Sequence, residues 1–356
     1  MQPIHTRRWP RGLLASTVMF MSGLACAATP DWSHYNYQAV QQHVLPRYAA
    51  LDEASAALSA SAQTFCAAPS EAGLSQVQDQ WRQTMLSWQG IQHVQFGPVQ
   101  FLMRNFGLQF WPDRKNIGAR QLRQALASDQ PYDAEFFRHA SVSIQGFPAL
   151  ERLLFADNAL QTLQNGRGCE LTQAIAGHVA QMSHAIHSEW SAQAKGDFQP
   201  EQDPDVAAEL AVELMASLVE PIEAIRDSKL LKPMAESAES ARPKLLESHR
   251  SSASLANIRA NLEALNELYQ GTDPSVRSLL EEAGSAQLAR DIAEHFEHIN
   301  AQLDAVQGPL KQAVTRAETH TRLLGVATSL KQLSEQLDTA MEVLNIQLGF
   351  NSRDGD

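Results

Sequence analysis

The chain has 356 residues, 44% of them hydrophobic, and its 40 acidic and 28 basic residues give a formal net charge of −12. An acidic surface repels nucleic acid and anionic lipid and attracts cations, so we do not expect a nucleic-acid-binding protein. A chain of this length can bury a full core and suggests two domains.

The first 27 residues have the pattern of a secretory signal peptide. Arg7, Arg8 and Arg11 precede an apolar run from Gly12 to about Leu24, and small residues follow at 25–28. The run is shorter and more polar than the roughly 20 apolar residues of a membrane span. We therefore expect an exported protein of a bacterial periplasm or cell envelope, with no membrane span in its mature part.

Cys26 leaves two alternatives for the processed N-terminus. Cleavage after Ala27 would release a soluble protein, whereas lipidation of Cys26 would anchor it to a membrane. Gly23 stands where a lipobox usually has leucine, which favours the soluble form. We expect membrane association only through such a lipid anchor at Cys26.

Apolar residues recur at steps of three and four, which is typical of amphipathic helices packed in bundles. In chain order the pattern predicts helices over 33–62, 71–96, 118–128, 132–143, 148–157 and 168–194. Residues 195–204 contain Gly196, Pro200 and Pro204 without an apolar period and predict a linker. Further helices are predicted over 205–227, 250–270, 275–304 and 312–346. The predicted fold class is all-α, with two packed bundles of the four-helix type at 31–194 and 205–356.

Cys66 and Cys169 are the cysteines that remain beyond the signal segment. In an oxidising compartment they are a candidate disulfide, and the alternative is two buried free thiols. Both lie at helix edges beside turn residues, which favours the disulfide.

The segment from Gln145 to Phe155 reads QGFPALERLLF. Pro148 suits the first turn of a helix, Gly146 permits a tight start, and the helix dipole favours Glu151 near the N-terminus. A well-started helix accounts for all three residues, so the segment alone establishes no chemistry.

In a wider context this segment resembles the GxHxxE signature of the imelysin-like family (imelysin peptidase and iron-regulated protein A relatives), with Pro148 at the histidine position. Four other segments resemble that family in the same order along the chain. They are Trp81 and Trp88 with Gly97-Pro98, the FWPDRKN segment at 110–116, the Glu247-Ser248 and Ser251 segment, and LGFNSRDGD at 348–356.

The resemblance implies an imelysin-like pair of four-helix bundles with a functional site at their junction. Members of the family are exported, often as lipoproteins, and are associated with iron uptake or iron-responsive expression. The implied ligand is iron or another divalent cation, and the implied partners are iron-uptake or haem proteins of the envelope. Some members are described as metallopeptidases.

Pro148 departs from the family pattern at the position that matters most for metal chemistry. A histidine and a glutamate three residues apart share a helix face and can ligate one metal ion, but proline offers no donor atom. Glu151 alone cannot hold a catalytic zinc, which normally takes three protein ligands. We therefore expect no catalytic residues here and keep Glu151 only as a weak metal-ligand candidate.

The residues at the implied junction are the ligand-binding candidates: Gly146, Pro148, Glu151, Trp88, His93, Trp111, Arg114, Lys115, Asn116, Glu247, Ser248, His249 and Ser251. Arg114 and Lys115, beside Trp111 and Asp113, form either an anion-binding corner or a capped turn with solvated charges. Other histidines fit ordinary positions better: His178 a core position, His184 and His187 the surface, and His295 and His298 helical pairs with Asp291 and Glu294.

Three functions stay open on the sequence. The first is an envelope protein that assists iron or other metal acquisition by binding a ligand or partner at the bundle junction. The second is an envelope metallopeptidase, and the third is a helical interaction protein without a small-molecule site. A junction lined only by packed apolar side chains would favour the third.

Overall fold

The computed structural model of the chain describes residues 30–196 and 198–349, and every regular element in those ranges is helical. The predicted signal segment, Cys26 included, and the chain beyond Gly349 lie outside the described residues. Within the described ranges, no helix is long and apolar enough to cross a membrane.

The first half of the chain contains long helices interrupted by short ones. Its elements are α1 (Trp32–Ala39), a π-helical turn (Val40–Val44), α2 (Leu45–Ala67), α3 (Glu71–Gln89), 3₁₀ turns (Gly97–Val99 and Phe101–Met103), α4 (Arg104–Leu108), α5 (Ile117–Leu126), α6 (Ala134–His139), a 3₁₀ turn (Val142–Ile144), α7 (Phe147–Leu154), α8 (Ala159–Gln164) and α9 (Arg167–Gly196).

The second half is more regular. Its elements are α10 (Pro204–Glu223), a π-helical segment (Ala224–Leu231), α11 (Lys232–Met234), a 3₁₀ turn (Pro243–Leu245), α12 (Ser254–Gln270), α13 (Val276–Glu282), α14 (Ala286–Asp304), α15 (Leu310–Ala313) and α16 (Ala317–Val343).

Several predicted helices are shorter or divided, for local reasons. The predicted helix at 250–270 begins only at Ser254, because Ser248 and Ser252 adopt positive φ values of 51° and 60°. The predicted helix at 275–304 divides at Gly284, whose φ of 82° no helix interior accommodates. The predicted helix at 71–96 ends at Gln89, so His93 lies in a turn.

The core of the first bundle lies between α2, α3 and α9. Trp190 of α9 is fully buried, stacks on Tyr48 of α2 and meets Phe96 edge-on. A disulfide joins Cys66 at the end of α2 to Cys169 at the start of α9. The longest helices of this bundle are therefore held both by apolar packing and by a covalent link.

The second bundle packs α10, α12, α14 and α16 around a leucine-rich core, and two helix pairs are among the contacts that join it to the first. Helix α1 lies against α10, and Asn36 donates a hydrogen bond to the carbonyl of Ala207 at 2.8 Å. Helix α3 lies against α12, where Asn261 donates to the carbonyl of Gln89 at 2.8 Å. The α3–α12 contact forms the junction beside which the candidate site lies.

Candidate functional site

A cavity of about 100 Å³ lies at the junction of the two bundles, and we call it the junction cavity. The first bundle contributes part of α3, the segment 109–114 and the start of α7. The second contributes Ser228, Lys232 and residues 244–250. The side chains on which the site's chemistry depends are Trp81, Trp111, Asp113, Arg114, Pro148, Glu151, Arg152, Lys232, Lys244, Glu247, Ser248, His249 and Arg250.

Glu151 of α7 is buried at the cavity wall and bound by the other bundle. Its Oε1 accepts hydrogen bonds from the backbone N–H groups of Arg250 (3.0 Å) and Ser251 (2.9 Å) and from the Ser251 hydroxyl (2.9 Å). Burial raises the pKa of Glu151, and the hydrogen bonds from Ser251 act in the opposite direction. One carboxylate oxygen thus joins α7 to the loop that precedes α12.

Gly146, at the start of α7, is required by a close backbone approach. A Cβ atom at this position would lie 2.1 Å from the carbonyl oxygen of Leu108 and 2.2 Å from that of Gly107. No side chain fits in that space, so the segment leading to Gln109 lies directly on the helix start.

Asp113 fixes the segment over α7. Its carboxylate accepts from the backbone N–H groups of Ile117 (2.7 Å) and Gly118 (2.8 Å) and so caps α5. Its Oδ2 also pairs with Arg152 of α7 at 3.2 Å. Because Asp113 is engaged on both sides, the neighbouring Trp111 and Arg114 are held at the cavity.

Lys229 and Glu247 are the centre of a buried polar network beside the cavity. The ammonium group of Lys229 donates to Glu247 Oε2 (3.0 Å), Gln89 Oε1 (2.7 Å) and Asn261 Oδ1 (2.7 Å). Glu247 also accepts from Gln109 (2.8 Å) and from Asn257 (2.9 Å). Burial lowers the pKa of Lys229, and the charge of Glu247 opposes that effect.

A second, larger cavity of about 550 Å³ adjoins the first, and we call it the cleft. Gln109, Trp111 and Glu247 line both cavities. Trp88 and His93 line only the cleft. Trp88 donates to Gln109 at 2.5 Å, so the network around Glu247 extends to the cleft wall.

The candidates from the sequence are therefore distributed over two connected cavities. Seven line the junction cavity: Trp111, Arg114, Pro148, Glu151, Glu247, Ser248 and His249. Gly146 and Ser251 support that wall without lining it. Lys115 and Asn116 are exposed and line neither cavity, which places them outside the site.

His93 has a partner that the sequence did not indicate. Its Nε2 lies 2.8 Å from Nε2 of His43, and both rings are buried. His43 Nδ1 in turn lies 3.5 Å from Glu267, which also pairs with Arg47. Burial lowers the pKa of both imidazoles, that of His93 most strongly.

The remaining histidines occupy structural or surface positions. His178 stacks on Phe137 with ring centroids 4.1 Å apart, and burial lowers its pKa to about 4. His184 and His187 both face Asp52 of α2, at 3.1 Å and 3.0 Å. His295 lies 3.4 Å from Gln332 and forms no pair with Asp291.

Lys229 and the basic side chains that the second bundle places at the cavity were not predicted from the sequence. One signal was present: the apolar stripe of α10 steps from Ile222 to Ile225 and next reaches Lys229. A lysine in register with a buried stripe indicates a buried charge that needs a partner. Lys232, Lys244 and Arg250 gave no such signal, because they lie in short helices and turns that have no apolar stripe.

The residues at the cavity do not fit a directly bound catalytic metal. Pro148 offers no donor, and Glu151 Oε1 already accepts three hydrogen bonds. The neighbouring guanidinium groups of Arg152 and Arg250 repel a cation. Across residues 30–196 and 198–349, no group of three or more His, Cys, Asp and Glu side chains could hold a metal ion.

A family model and two solved structures show which proteins this chain resembles. The family model described as Imelysin, peptidase M75, matches residues 44–337. An imelysin-like protein from Psychrobacter arcticum 273-4 has a similar structure, with a TM-score of 0.76 and 20% identity over 90% of this chain and 97% of that one.

A protein described as an iron-regulated protein A precursor, from Parabacteroides distasonis ATCC 8503, has a TM-score of 0.72 and 16% identity over 90% of this chain and 97% of its own. At such identities these likenesses establish the fold. No curated protein matches the sequence. The family model covers most of the chain, and the chain therefore belongs to the imelysin family.

Proposed function

We propose that this protein assists the acquisition of iron or another metal in the bacterial cell envelope, by binding a ligand or partner at the junction of its two bundles. The supporting observation is the junction cavity, where residues from distant parts of the sequence meet around one concave surface. They come from the 110–116 segment, from α7 and from the loop before α12.

The chemistry of the cavity favours ligand binding over a purely structural contact. Its wall carries charged groups, a histidine and two tryptophans, and the side chains behind it form a hydrogen-bonded network. Ligand sites combine an aromatic wall with a few placed polar groups, whereas a structural junction is filled by apolar side chains. The iron-regulated name of the Parabacteroides protein supports the metal-related part of the proposal.

Tryptophan fluorescence and native purification together test this function. Protein isolated from its own envelope should carry a bound metal or a metal-containing ligand, detected by elemental analysis and mass spectrometry. Adding that ligand to the stripped protein should change the emission, because Trp111 lines both cavities.

The matched variants are W111F and W32F. The first should reduce the ligand-dependent change, to which Trp81 of the junction cavity and Trp88 of the cleft would also contribute. The second replaces a buried tryptophan of α1 away from both cavities and should leave the change intact. Native protein without metal or ligand, and no melting shift with metal salts or metal chelates, would contradict the proposal.

A further inference from the structure

The junction cavity is lined by more basic than acidic side chains, in a protein whose formal charge is −12. The basic ones are Arg114, Arg152, Lys232, Lys244 and Arg250, and the acidic ones are Asp113, Glu151 and Glu247. The strongest positive field in an acidic protein is expected where such groups converge on one concave surface.

The three carboxylates are already engaged by the protein. Asp113 pairs with Arg152 and caps α5. Glu151 Oε1 accepts three hydrogen bonds, and Glu247 pairs with the buried Lys229. The five basic side chains of the wall therefore outnumber the three acidic ones, each of which the protein already engages.

Within the described part of the chain, four cations at the wall have no hydrogen-bonded or ion-paired side chain against them. Among the described residues, the side chains of Arg114, Lys232, Lys244 and Arg250 form no hydrogen bond or ion pair, although the charge of Arg250 also acts on Glu151. Arg250 is half-buried. The pKa of Arg152 and that of His249 are both lowered, first by the burial of each group and next by the positive charge of Arg250. These groups repel one another, and an anion among them would relieve that repulsion.

The dimensions of the cavity limit the size of that anion. A volume of about 100 Å³ corresponds to a few water molecules, at roughly 30 Å³ each. This is the scale of a phosphate ion or of a small di- or tricarboxylate. Arginine and lysine are the side chains that recognise such groups, arginine by bidentate hydrogen bonds.

From this geometry we infer that the junction cavity binds a small oxyanion with carboxylate or phosphate groups, and that a metal reaches this site as the anionic complex of such a ligand. The inference rests on the proposed function, whose ligand class it specifies. It also accounts for the poor fit to a bare cation, since Pro148 offers no donor atom and five basic side chains surround the site. A free oxyanion and a metal chelate present the same carboxylate or phosphate groups, and the titrations below distinguish between them.

Isothermal titration of the purified protein with citrate, inorganic phosphate, ferric citrate and zinc chloride tests the inference. The variant is K232E/K244E, which reverses two exposed charges of the cavity wall. The matched control is R120E/R123E, which reverses two exposed charges of α5 outside the cavity and changes the net charge equally. Circular dichroism and melting confirm that all three proteins are folded.

We expect at least one of the three anionic probes to bind, with weaker binding at higher salt. Affinity should fall at least tenfold in K232E/K244E and stay within twofold in R120E/R123E. Tighter binding of ferric citrate than of citrate identifies the chelate as the ligand, and equal binding identifies the free anion.

The inference is overturned if no anionic probe binds, or if both double variants lose affinity equally. Zinc binding that quenches Trp111 without any anion binding would overturn it and leave the proposed function intact. Anion binding without any metal-containing ligand in the native protein would support the oxyanion site, and it would contradict both the arrival of a metal as a complex and the metal-related part of the proposed function.

Discussion

Lys229 and Glu247 form an ion pair buried at the bundle junction, with Nζ 3.0 Å from Oε2. Lys229 lies in the π-helical segment after α10, and Glu247 lies in the loop before α12. Amide groups of both bundles complete the hydrogen bonding of the pair. The pair thus holds an irregular loop in place at the wall of both cavities.

Replacing Lys229 alone should be costly because it leaves the Glu247 carboxylate buried without its cation. We expect K229M to lower the free energy of unfolding by about 3–5 kcal/mol. The double variant K229M/E247L removes both charges and should recover part of that loss. Urea denaturation measures both effects, and a double variant less stable than K229M would contradict the assignment.

The buried histidine pair predicts a loss of stability in mild acid. Both folded-state pKa values are lowered from 6.5, so the unfolded chain takes up protons first as the pH falls. The contribution of the pair to the free energy of unfolding is therefore complete above about pH 6.5. Below that pH it declines by up to about 1.4 kcal/mol per pH unit for each imidazole. Arg47 and Glu267 are the charged groups that face the pair.

Denaturation between pH 7 and pH 5 measures this effect. The variant H43N/H93N replaces both rings by amides that do not titrate and should have a flatter pH profile than the unchanged protein. The control H184N/H187N replaces two histidines that face Asp52 nearer the surface and should retain the steep profile. Parallel profiles for all three proteins would count against the buried pair.

Glu151 should act as a structural acceptor whose oxygen matters more than its charge. E151A leaves the N–H groups of Arg250 and Ser251 and the Ser251 hydroxyl without their acceptor, at a cost of about 2–4 kcal/mol. E151Q keeps an oxygen in place and removes a buried charge, so we expect a change within about 1 kcal/mol. Thermal unfolding distinguishes the two variants, and an equal loss would show that the charge is required.

The Cys66–Cys169 disulfide should stabilise the first bundle without affecting the cavities. The cysteines are 103 residues apart, and removal of a link that closes such a loop typically costs about 2–4 kcal/mol. We expect C66S/C169S to melt at lower temperature and to keep its ligand affinity, since neither cysteine lines a cavity. Lost affinity in a folded variant would show that the link also positions the junction.

The regular parts of the fold could be predicted from the sequence because they depend on apolar periodicity. The stripe of Leu171, Ile175, Met182 and Ile186 lies buried in α9, and the all-α class followed from such stripes. The disulfide could be expected from the number of cysteines and the predicted oxidising compartment. The helices depend on residue type and spacing along one segment, and the disulfide depends on one pair of cysteines.

The composition of the site could be predicted only in part. The motif segments located Trp111, Pro148 and Glu151, because those residues are close in sequence to recognisable helix starts and turns. The three hydrogen bonds to Glu151 Oε1 could not be predicted, since the donors lie 99 and 100 residues away in a loop with positive φ values. Lys244 and Arg250 were missed for the same reason: only the tertiary fold brings these turns to the cavity.

Gly146 controls the width of the site although it is not part of either cavity wall. The carbonyl groups of Gly107 and Leu108 lie against it, and the chain runs on from them to Trp111 and Arg114. From the other side of Gly146 the chain runs into Pro148 and Glu151. A single methyl group would force these two stretches apart, so the width of the opening available to a ligand is set by the absence of one carbon atom.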